Sequence, residues 1–151
     1  MAEQPAHSTD PGRRRKQPSA FRRGMETLLL ILAALGAVAL VVQVGLAGYG
    51  AYGGGFEFHA SLGYGIAGLA VVILLVALLA WPGTIVALLA LLLAALAVVG
   101  QIGLAELGEK GSTWFGAAHA VDGAIVFALM VAVLVGTIRR KRGRARVADG
   151  Q

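Results

Sequence analysis

The sequence predicts an all-α fold: a transmembrane four-helix bundle made of two tandem helix hairpins in parallel repeat, with both termini cytoplasmic. Three observations carry that prediction. The 151 residues are 58% hydrophobic and 14% charged, with a mean hydropathy of +0.77, which is too apolar for an ordinary soluble domain. Four apolar runs, at about 27–46, 58–81, 84–105 and 114–138, each approach the roughly 20 residues that cross a bilayer core as helix. Six of the thirteen Lys and Arg precede the first run and six follow the last, so the positive-inside rule puts both ends in the cytoplasm, as an even number of spans requires.

In chain order, residues 1–25 are rich in Pro, Ser, Gln and Arg and are expected to form a disordered basic cytoplasmic tail, in which His7 has no assigned role. The membrane domain covers 26–138. Its first run is longer than the apolar core of a cleaved signal peptide and carries half of the repeat, so it is read as retained. "GYGAYGGG" at 48–55 follows as a flexible outer turn and lacks the Lys and Ser or Thr of a phosphate loop. The second and third runs are joined by the tight, uncharged "AWPGT", with Trp81 suited to the membrane interface. Glu106, Glu109 and Lys110 form a short, non-basic outer loop before the fourth run. Residues 139–151 are a second basic cytoplasmic tail, expected to be disordered from Gly143 onward.

Composition also excludes. The net charge of +5 is concentrated at the ends, where it fixes topology and meets anionic lipid of the bilayer, so nucleic acid is not an expected partner. Cysteine is absent, which removes disulfides, thiolate nucleophiles and covalent CxxCH haem attachment. No GxSxG, P-loop, dinucleotide fingerprint or zinc-type cluster occurs, and an independent enzyme is not expected.

The repeat brings the polar residues into register. "QVGLAG" at 43–48 matches "QIGLAE" at 101–106, and "HASLG" at 59–63 matches "HAVDG" at 119–123, with offsets of 58 and 60 residues. His59 and His119 therefore begin the second and fourth helices at one depth, where two imidazoles approaching from opposite sides suit the axial positions of one haem iron. Gly63 and Gly123, one turn deeper on the same faces, leave room for a flat macrocycle. Around them, Gln43, Gln101 and Asp122 are candidate supporting groups, and Glu57 suits the positive end of its helix. The competing expectation is a structural or accessory subunit in which the glycines pack helices, the glutamines bond between them and the histidines face water or phosphate. A small transporter fits less well, because the spans are not visibly interrupted.

The motifs "VVQVGLAGYG", "EFHASLGYG", "VVGQIGLAELG" and "FGAAHAVDGAIVFAL" together resemble one four-helix half of the haem A synthase family, and more closely the small bacterial membrane proteins that look like such a half. The resemblance spans 27–138. It implies a cytochrome b-like bundle in a bacterial plasma membrane, with His59 and His119 at the ligand positions for haem b, Glu57 near the family's glutamate, and quinol or another membrane redox partner. The chain departs from the family: its glutamate stands two residues before the histidine rather than three, Ala60 replaces the following arginine, and the other half is missing. Haem handling, rather than haem A synthesis, is what the resemblance implies.

Overall fold

Polar backbone groups in an apolar chain must be satisfied locally, and helices do this within one segment. The computed structural model describes residues 19–148, and every element among them is helical. α1 (Ala20–Tyr49) begins at Ser19, whose hydroxyl accepts the Arg22 N–H at 3.3 Å. A π-helical stretch, Gly50–Gly54, leaves helical geometry at Tyr52 and Gly53, and φ of +94° at Gly53 and +80° at Gly55 explains the glycines there. α2 (Glu57–Ala80) returns. The third span is α3 (Thr84–Ala95) and α4 (Gln101–Glu109), continuous through a π turn at Leu96–Gly100 in which the Gln101 N–H reaches back to the Leu96 carbonyl. α5 (Thr113–Ala148) is unbroken.

The four spans Ala20–Gly54, Glu57–Ala80, Thr84–Glu109 and Thr113–Val147 are each long and apolar enough to cross a membrane, as a multi-pass membrane protein requires. They close into a bundle. α1 packs on α2 and α5, α2 on α3, and both α3 and α4 on α5. Its core is built from Leu29, Ala33, Ile73, Leu93, Met130 and Val133, with small residues where helices approach. Gly36 shows the fit, since a Cβ there would stand 2.5 Å from the Met130 methyl.

The start of α1, the α2–α3 turn and the end of α5 meet at one end, here the proximal end. Trp81 closes α2 in the left-handed conformation (φ 44°), Pro82 is buried and Gly83 takes φ +118°. Arg22 donates to the Ala80 and Trp81 carbonyls, both at 3.3 Å, supplying the partners that the end of α2 lacks. Glu26, 4% exposed, is paired with Arg144, and Lys141 donates to the Thr27 hydroxyl at 3.3 Å.

Helix therefore extends further than the sequence reading placed it. α1 starts at Ala20, inside the expected tail, and α5 continues through the basic segment to Ala148. Contacts between the two ends hold these turns, rather than hydrophobicity. The expected tail at 1–18 and the last three residues lie outside the described region.

Candidate functional site

At the opposite, distal end the two halves of the chain make the same reciprocal pair of bonds. Gln43 on α1 donates from Nε2 to the His59 carbonyl of α2 at 2.8 Å, and the His59 ring returns Nδ1–H to the Gln43 carbonyl at 3.2 Å. Gln101 on α4 donates to the His119 carbonyl of α5 at 2.9 Å, and His119 Nδ1–H donates to the Gln101 carbonyl at 3.0 Å. A carbonyl only accepts, so each Nδ1 is the donor, and in the neutral imidazole the lone pair is then on Nε2. The four residues matched by the repeat are thus brought together as two stitched helix pairs.

The rings of His59 and His119 meet edge to face, with centres 6.1 Å apart and planes at 68°. Phe56 meets His59 edge-on, with centres 6.0 Å apart. Both imidazoles, both glutamines and Gly63 line a cavity of about 480 Å³ that reaches from Leu40, Ala97 and Val126 in the core to Phe56, Glu106 and Glu109 at the distal end. That volume is within the range of small-molecule and cofactor sites.

The glycines have a more immediate neighbour than a cofactor. A Cβ on Gly63 would stand 3.0 Å from Gln43 Nε2, and one on Gly123 would stand 3.6 Å from Gln101 Oε1. At Gly63 the lack of a side chain gives the Gln43 amide room to cross to the next helix, whereas at Gly123 a Cβ would make only an ordinary contact with Gln101. Gly63 lines the cavity as well, whereas Gly123 lies outside its wall.

Asp122 is 8% exposed and also lies outside the cavity wall. Its Oδ2 accepts from Gln101 Nε2 at 2.8 Å, so both hydrogens of that amide are used. Gly100, in the π turn, makes room for the carboxylate, since a Cβ there would come within 2.6 Å of Oδ2. Glu57 stays exposed in the first turn of α2, where its charge suits the helix dipole, and does not line the cavity.

Two features escaped the sequence reading. Gln43 Oε1 is buried without a hydrogen-bond partner, an acceptor that only side-chain geometry reveals. The Glu26–Arg144 pair also went unread, since an even number of spans puts both ends on one side of the membrane without fixing which residues meet there.

Compared with protein-family models, curated protein sequences and solved structures, the chain matches none. Its resemblance to the haem A synthase family accordingly rests on the quoted motifs alone.

Proposed function

We propose that the chain is a cytochrome b-like protein of a bacterial plasma membrane, with both termini cytoplasmic, and that it holds one haem b between His59 and His119 for electron transfer with a quinol-class membrane partner. The observation that carries this reading is the adjacent pair of imidazoles, each donating Nδ1–H to a backbone carbonyl and each without a hydrogen-bond partner at Nε2 among the described residues. Metal-binding histidines are characteristically oriented in this way.

The residues present fit the group. His59 and His119, with ring centres 6.1 Å apart, are the two side chains that would hold the iron. Among the described residues no group of three or more His, Cys, Asp or Glu side chains is placed to hold a metal ion. Two protein ligands would suit a metal carried in its own macrocycle, and the small residues Ala60, Gly63, Ala67, Ala105 and Gly116 leave cavity space for a flat ring. Haem ligated by two imidazoles supplies one-electron chemistry; the chain's part is to fix both tautomers, hold the rings at one depth and surround them with apolar side chains.

The second reading is an accessory subunit without cofactor, and the observation favouring it is that both histidines already bond between helices. Asparagine separates the two, because its amide NH₂ stands near the position of histidine Nδ1 while nothing replaces Nε2. Purified in mild detergent, the wild-type protein should show a Soret band and, after dithionite, sharp α and β bands. His59→Asn and His119→Asn should each abolish the six-coordinate spectrum and still insert into membranes. A wild-type spectrum holding only protein absorbance, even after haem addition, would leave the histidines to packing.

A further inference from the structure

The two ligand pairs are alike in their reciprocal bonds and unlike in what stands behind them. Three residues after His59 is Leu62; three residues after His119 is Asp122. The residue before Gln43 is Val42 in regular α-helix, and the residue before Gln101 is Gly100 in a π turn. These differences belong together, because the carboxylate of Asp122 occupies the space that Gly100 leaves open.

The result is unequal support. Gln101 spends both amide hydrogens, on the His119 carbonyl at 2.9 Å and on Asp122 Oδ2 at 2.8 Å. Among the described residues the Gln43 amide donates only to the His59 carbonyl, and its buried oxygen has no hydrogen-bond partner. The supporting helices differ in the same sense: His59 is the third residue of α2, directly after the glycine-rich stretch that leaves helical geometry, whereas His119 is the seventh residue of α5. Terminal turns open at lower free energy than turns packed on both sides. A buried hydrogen-bond network is strengthened by each satisfied member, and a carboxylate is its strongest acceptor.

We propose that Asp122, acting through Gln101, makes His119 the anchoring haem ligand and leaves His59 the exchangeable one, which can turn aside to admit a small neutral ligand beside Ala60, Gly63 and Tyr64. The inference rests on the haem reading above. Asp122 is a positioning residue: it touches Gln101 and does not line the cavity.

The test uses the full chain in detergent, titrated with hemin and, after reduction, with carbon monoxide as the probe. His59→Asn should keep one haem and bind carbon monoxide readily, while His119→Asn should lose more haem affinity than the roughly 10–100-fold that removing only a ligand's outer hydrogen-bond partner costs. Asp122→Ala should bring the haem affinities of the two histidine variants together, and Asp122→Asn, whose amide oxygen still accepts from Gln101, should preserve their order. A readout free of haem accompanies these: in ¹⁵N spectra of the apoprotein, the His119 Nδ1–H should exchange with water more slowly than that of His59, and Asp122→Ala should reduce the difference. Equal haem loss in the two histidine variants, the reverse order, or an order unchanged by Asp122→Ala would overturn the inference while leaving the haem reading standing. A wild-type chain that takes up no haem overturns both, and the hemin titration alone identifies that outcome.

Discussion

Each distal imidazole is tied at Nδ1 to the backbone carbonyl of Gln43 or Gln101, and the side-chain amides of those glutamines bond back to the histidine carbonyls across a glycine on the neighbouring helix. The two glycines make a contrast that stability measurements can read. At Gly63 an added methyl meets Gln43 Nε2 at 3.0 Å, so Gly63→Ala should displace the amide and weaken the α1–α2 pair by about 1–2 kcal/mol, the upper range for interhelical hydrogen bonds in membranes. At Gly123 the nearest atom is 3.6 Å away, an ordinary contact, and Gly123→Ala should be nearly silent; thermal unfolding in detergent compares the two. Gln101→Leu should cost more than Gln43→Leu, because it strands the His119 carbonyl and a buried carboxylate together. The matched Gln and His residues were legible from the repeat, since two recurring polar positions in an apolar chain stand out. Their partners were not: which atom of Gln43 meets which atom of His59 depends on helix rotation and rotamer, and spacing along one helix carries neither.

At the scale of elements, the apolar runs located all four spans and bounded the second to within one residue, because the apolar length of a helix is set by the bilayer it crosses, while the first and fourth spans run seven or more residues past theirs. The ends were less legible. α5 has 36 residues, about 54 Å of helix, well beyond the roughly 30 Å of a hydrocarbon core, and its last turns are arginine-rich. Composition alone reads such a segment as a tail, whereas the partners Glu26 and Thr27 come from the other end of the chain. The π turn at Leu96–Gly100 was equally hidden, although Gly100 stands where the first half has Val42. Gly100→Ala should drive the Asp122 carboxylate off the α4 backbone and break its bond to Gln101, seen as faster hydrogen exchange of the His119 ring proton. The same substitution at Gly45, with nothing within 4 Å, is the control.

The whole molecule separates two kinds of polar chemistry by the length of a membrane span. The proximal end gathers Arg22, Glu26, Lys141 and Arg144 into a clasp between the two ends of the chain, and Glu26→Ala should lower stability by about 1–2 kcal/mol, less than a fully buried pair would cost because Arg144 keeps 36% of its side chain exposed. Orientation across the membrane was read from charge alone, and a chain without cysteine makes it directly measurable. Single cysteines at Tyr52 and Ser112 should react with an impermeant maleimide added outside intact cells, and cysteines at Ser19 and Arg146 only after lysis. The distal placement of both imidazoles also has an electrical consequence. A charge carried through a whole membrane gains or loses about 2.3 kcal/mol per 100 mV, and the fraction felt at any site scales with the depth travelled to reach it. His59 and His119 lie in the first two turns of their helices, so an electron passing to a haem held there, as proposed, crosses little of the field when it comes from the distal side. In sealed vesicles its equilibrium with a donor on that side should ignore the membrane voltage, whereas exchange with a donor on the proximal side would work as a voltage-dependent step.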